Sequence, residues 1–85
     1  MERDKAIVIL RLPKRNKEYD LEVPLNITAQ ELIVALNSAY NLGINTDDIK
    51  NCYLTAQEPI VLLRGNRTLE EFGVRNGTVL EYTRG

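Results

Sequence analysis

Thr-Ala-Gln-Glu-Leu-Ile-Val-Ala-Leu-Asn-Ser-Ala-Tyr-Asn-Leu-Gly, residues 28–43, is the one stretch long and periodic enough for a full helix, and the remaining sequence reads as strands wrapped around it. With Thr28 as N-cap, its hydroxyl accepts the N–H three residues on while Glu31 reaches back, a capping box. Ile27 and Leu32 on either side supply a hydrophobic staple. At about 100° per residue, Ala29, Leu32, Ile33, Leu36, Ala39 and Tyr40 share one face and Gln30, Glu31, Asn37, Ser38 and Asn41 the other. The helix is therefore expected to bury one side only. Val34 falls on the polar side, where a lone apolar residue is ordinary. Gly43, lacking a Cβ, is predicted to close the helix in the left-handed conformation.

A chain of 85 residues makes one domain, residues 1–85, around one core; at this size about 60–65% of the unfolded surface is buried, which leaves no room for an enclosed cofactor. None is expected. Eleven basic residues stand against twelve acidic, a net charge of −1, so the overall field favours neither a nucleic acid nor an anionic membrane. A single cysteine, Cys52, excludes an internal disulfide framework and fits a reducing compartment, with the cytoplasm as the default. The longest apolar runs, residues 6–10 and 32–36, are five residues each, too short for a secretory leader or a membrane span. Membrane association would have to come through a partner.

Outward from the helix, residues 6–12 are rich in β-branched side chains and read as a strand with Val8, Leu10 and Leu12 inward, leaving Ile7, Ile9 and Arg11 on the outer face. Residues 13–17, with Pro13 and Asn16, form a turn whose three positive charges read as a solvated hairpin tip. Residues 18–23 alternate, Tyr19, Leu21 and Val23 inward and three acids outward, and return as the second strand, which Pro24 ends. Past the helix, residues 45–49 look like a capped single turn. Residues 52–55 are expected as a third strand with Cys52 and Leu54 inward, and residues 60–63 as a short fourth. Residues 68–73 repeat the main helix's device in miniature, a Thr cap, a Glu at N3 and a closing Gly, with Leu69 and Phe72 in the core. Asn76-Gly77 then turns the chain into a last strand, residues 78–83, with Leu80 and Tyr82 inward and Val79, Glu81 and Thr83 outward.

Catalytic and ligand-binding chemistry finds little footing. The basic turn offers no glycine-rich loop or helix N-terminus to cradle a phosphate. Asp47 and Asp48 lack the spacing of a calcium loop, and the chain has no histidine, so no metal site is expected. Nor does Cys52 have an activating base, and no carboxylate pair marks a pocket. The chain is not expected to be an enzyme.

A hairpin, a capped helix, two short strands, a capped turn and a final strand make an α+β layer, one helix across one mixed sheet. In that order the sequence resembles ubiquitin: Arg67-Thr68-Leu69, Phe72, Val74, Leu80 and Tyr82 match its pattern in spacing, as do Leu21-Glu22-Val23 followed by Thr28. The resemblance implies a β-grasp fold. Among bacterial β-grasp proteins, the Tyr-Asp-Leu-Glu-Val second strand and the run of Leu69, Phe72, Gly73, Asn76, Gly77, Leu80 and Tyr82 resemble the YukD/EsaB family. That likeness implies a cytosolic accessory of a type VII secretion system, with the secretion ATPase or another membrane component as protein partner. A second class of function, a modifier or sulfur carrier activated at its C-terminal glycine, differs at the tail. Carried forward from Thr68, the ubiquitin register puts Gly85 where the final strand is just ending, so the flexible extension that an activating enzyme needs is expected to be lacking.

The resemblance also implies a binding face. In a β-grasp sheet the first and last strands are central neighbours, with the third beyond the last, which places Ile7 and Ile9 beside Val79 and Thr83, and Tyr53 and Thr55 next along. This is expected as one contiguous, partly apolar surface opposite the helix. Threonines at Thr55 and Thr83 and a basic hairpin tip depart from ubiquitin, so ubiquitin receptors should not recognise it.

Overall fold

The computed structural model describes residues 4–82. The capping box sets the start of the main helix, α1, Ala29–Tyr40. Thr28 Oγ1 accepts from the Glu31 N–H at 3.1 Å, and Glu31 Oε1 accepts from the Thr28 N–H at 2.8 Å. Ala29, Leu32, Ile33 and Leu36 are buried and Val34 is exposed, as the periodicity requires. Ala39 departs from expectation and is exposed. At this last turn only the longer Tyr40 side chain reaches a partner, the ring of Tyr19 at 4.7 Å between centroids, and a methyl group is too short to be covered.

The helix also ends before Gly43, although Gly43 does take the expected left-handed conformation, φ +76°. Asn41 takes the left-handed conformation, φ 55°, and its N–H bonds to the Asn37 carbonyl. Asparagine tolerates that region. The Asn37 side chain then holds Ile44 at both its N–H, 2.9 Å, and its carbonyl, 3.1 Å, which fixes the exit of the chain. Arg15 of the hairpin turn donates to the Tyr40 and Asn41 carbonyls at 2.7 and 2.5 Å. One of the three tip charges is thus committed to the helix C-terminus, where a cation opposes the negative end of the dipole.

Among the described residues five strands form one sheet: β1, Lys5–Leu12; β2, Lys17–Pro24; β3, Leu54–Gln57; β4, Val61–Leu63; and β5, Val79–Glu81. Their order is β2-β1-β5-β3-β4, with β1 and β5 parallel and the other neighbours antiparallel. Val8, Leu10 and Leu12 are buried beneath the helix while Ile7 is 47% exposed, so the expected alternation of this strand holds. The hairpin turns through a short 3-10 segment, Pro13–Arg15, and Asn16 at φ 55°.

Boundaries after the helix are shifted. Cys52 and Tyr53 precede the third strand, because the Cys52 N–H bonds back to the Ile49 carbonyl and ends a 3-10 segment, Thr46–Asn51. Ala56 and Gln57, expected in a connection, belong to β3, where Leu80 and Val79 lie opposite them in β5. Ile60 sits in the following turn, 89% exposed, and not in β4. The last strand is shorter than residues 78–83, and Thr83 and Gly85 lie outside the described residues.

The second capping device is present as a single turn. Thr68 and Glu71 exchange backbone-to-side-chain hydrogen bonds at 2.9 and 3.2 Å, Leu69 is buried, and Gly73 takes φ +84°. The Thr68 N–H holds the Glu71 carboxyl below the usual glutamate range against an opposing desolvation, with smaller help from the Thr68 hydroxyl and the charge of Arg67. Leu69, Val74, Leu54, Leu63 and Leu80 complete the core beneath α1.

Candidate interaction surface

The sheet face opposite α1 is set by strand register. Ile9 lies opposite Val79, and Val79 opposite Gln57, so these three make one row across the middle of the sheet. Asp20 of β2 continues the row beside Ile9, and Glu22 stands beside Ile7. Ile7 is anchored at the end of the face: its N–H donates to Asn76 Oδ1 at 2.7 Å, and its carbonyl accepts from the Gly77 N–H at 2.8 Å. The Asn76-Gly77 turn therefore does more than reverse the chain, since it pins β1 to the start of β5.

The next row is charged. Glu18, Arg11, Glu81 and Thr55 follow one another from β2 across to β3, with Leu62 of β4 beyond. Arg11 Nε meets Glu18 Oε2 at 3.1 Å, and its guanidinium approaches Glu81 at 3.9 Å. Thr55 Oγ1 donates to the Glu81 carbonyl at 3.3 Å, so its hydroxyl serves the sheet itself. Tyr53 stands beyond this row, half-buried and ahead of β3.

The expected single surface is thus divided. Ile7, Ile9 and Val79 form an apolar group flanked by Asp20 and Glu22, and the ion-paired Arg11 row separates them from Tyr53. Thr83, the remaining member, lies outside the described residues. Leu62, 43% exposed, is a member that sequence reasoning missed. Its signal was alternation against Leu63, which a three-residue strand is too short to display.

Other residues singled out from sequence have local roles. Asn45 Oδ1 accepts from the Asp47 N–H at 3.1 Å and caps the 3-10 segment, while both Asp48 carboxylate oxygens accept from the Asn51 amide at 2.9 and 3.1 Å. Among the described residues no three His, Cys, Asp or Glu side chains converge as metal ligands do. The Cys52 thiol, half-buried, donates to the Asp48 carbonyl at 3.4 Å. No helix among the described residues is long and apolar enough to cross a membrane.

One capped helix across a mixed five-stranded sheet of this order, with the last strand central and parallel to the first, defines a ubiquitin-like β-grasp protein. The fold is similar to a designed protein based on ubiquitin, with 20% identity and a TM-score of 0.67 over 96% of this chain and 92% of that one. It is also similar to the C-terminal ubiquitin-like domain of mouse tubulin-specific chaperone e, at 11% identity and a TM-score of 0.66 over 96% and 90% of the two chains. The ubiquitin-like domain of Plasmodium falciparum Dsk2 matches at 18% identity and a TM-score of 0.59, over 91% and 96%. At such identities these likenesses speak for the fold alone. No curated protein matches the sequence. The family model described as "WXG100 protein secretion system (Wss), protein YukD" matches residues 7–81, and the chain belongs to that family, ubiquitin-like proteins associated with type VII secretion.

Proposed function

We propose that this protein is a non-conjugated, non-enzymatic interaction module that helps to assemble or regulate a type VII secretion system. It works in the cytoplasm, beside the membrane only through its partner, which is the secretion ATPase or another membrane component of the machine. Family membership supports the system, and one observation carries the mode of action: Ile7, Ile9 and Val79 stand together on the face opposite α1, where an interface core needs apolar side chains. The flanking Asp20 and Glu22 make a polar rim, and the Arg11 row limits the apolar contact to one end of the sheet. Thr55 within that row and Tyr53 beyond it extend the proposed contact, with Thr83 outside the described residues. The family does not favour the alternative of a carrier activated at its C-terminal glycine.

Affinity capture of the tagged protein from its own cells, with mass spectrometry, tests the reading. The wild-type protein should recover the secretion ATPase or a membrane component, and Ile9→Asp with Tyr53→Ala should lose it while circular dichroism stays unchanged. Recovery of no secretion component overturns the assignment to the machine. Equal recovery by both proteins overturns the face.

A further inference from the structure

We propose that the open edge of β2, with the groove beneath it, binds an extended peptide segment whose side chains alternate basic and apolar. The inference rests on the reading of the chain as a protein-interaction module, but it concerns the edge of the sheet and the groove beneath it, which share only Asp20 and Glu22 with the outer-face contact. Among the described residues β2 is the outermost strand of the sheet on its side. Which of its backbone groups face outward follows from β1. The Ile9 N–H donates to the Thr78 carbonyl at 2.9 Å, and the Ile7 and Arg11 carbonyls accept from Gly77 and Tyr82 at 2.8 and 3.3 Å, so these three residues direct their backbone groups toward β5. Val8 and Leu10 must then bond to their partners Leu21 and Tyr19. The N–H and C=O groups of Glu18, Asp20 and Glu22 consequently point away from the sheet, free to pair with an added strand.

Beneath that edge runs a groove of about 370 Å³ between β2 and α1, walled by Leu21, Ile27, Leu36, Ala39 and Tyr40. Its walls are fixed to each other at one end by Arg15 on the Tyr40 carbonyl and by the Tyr19 and Tyr40 rings. A strand added to β2 inherits the alternation of the sheet. Side chains opposite Asp20 and Glu22 share the outer face with those carboxylates, and the ones between them turn into the groove. Among the described residues neither carboxylate lies within ion-pair distance of a cation, whereas Glu18 is held by Arg11. The complementary segment therefore carries Lys or Arg at every second position and aliphatic residues between. A second copy of this chain does not fit, because antiparallel pairing of two β2 edges sets acids against acids.

The test titrates the isotopically labelled full chain with acetylated, amidated Lys-Val-Lys-Val-Lys-Val and with Lys-Lys-Lys-Val-Val-Val, which has the same composition and charge. The alternating peptide should shift the Asp20 and Glu22 amides and the Tyr40 ring and bind more tightly than the block peptide. Asp20→Lys with Glu22→Lys should weaken it about tenfold or more, with the remaining amide spectrum unchanged. Ala39→Glu, which adds an acid but fills the groove with a charged group, should also weaken it. Absent binding, equal binding of the two peptides, tighter binding to the Ala39→Glu protein, or shifts centred on Ile9 and Val79 would each overturn the proposal. Any of these results alongside intact capture of the secretion component leaves the outer-face reading standing.

Discussion

Thr78 is a fully buried polar residue whose hydroxyl donates to the Glu58 carbonyl at 2.8 Å and accepts from the Arg75 N–H at 3.0 Å. It ties the turn before β5 to the turn after β3. Nothing in an alternating strand pattern distinguishes such a threonine from one that merely suits a strand. Thr28 and Thr68 were legible because their partners stand at fixed offsets, three residues on in each case. The Glu71 carboxyl supplies a measurable consequence. Bonded first by the Thr68 N–H and then by its hydroxyl, with Arg67 nearby, it titrates below an ordinary glutamate. Because the folded value is depressed, its stabilising contribution should be complete above the usual glutamate range and vanish as pH falls through the lowered folded value. The difference in urea midpoint between wild type and Glu71→Gln should follow that course. A difference that stays constant into acid would contradict it.

At the level of elements, α1 makes the clearest test of facing. Leu36 is buried at its centre and Val34, two residues before it, is exposed. Leu36→Ala should cost about 2–5 kcal/mol, while Val34→Ala should fall within about 0.5 kcal/mol of wild type. Urea denaturation of the two variants reads both, and similar midpoints would mean that the helix packs through another face. Where an element's own periodicity decides its orientation, as in α1 and β1, the sequence was sufficient. Its ends were not. Gly43 is the better left-handed residue, yet Asn41 takes the cap because the Asn37 side chain, from the last turn of the helix, and Arg15, from the hairpin, hold the exit there. β3 starts at Leu54 because Cys52 is committed to a 3-10 turn, and it runs on to Gln57 because β5 lies opposite. The candidate face fared the same way: that Ile7, Ile9 and Val79 share the outer side was legible, but Leu62 was not, and the Arg11 row that divides the face depends on register between strands distant in sequence.

At the scale of the molecule, the sheet order β2-β1-β5-β3-β4 places the last strand of the chain between the two halves of the sheet. β1 and β2 pair with each other, as do β3 and β4, and among the described residues only β5 joins the two pairs. The hairpin of β1 and β2 is local in sequence, whereas the ladder that makes one sheet closes over most of the chain. Loop-closure entropy must then be overcome before the central contacts reward it. The Thr78 hydroxyl and the Leu80 side chain, both fully buried, fall in the same final segment, so removing it opens the core as well as the sheet. A chain truncated after Gly77 should therefore show no cooperative urea transition and lose the near-ultraviolet signal of its tyrosines. A synthetic peptide of residues 78–85 added in excess should restore both in a concentration-dependent way, since binding to the folded form alone stabilises it by mass action. A truncated chain that unfolds cooperatively without the peptide would show that the β1–β2 hairpin and α1 hold a core of their own, and that β5 only adds to it.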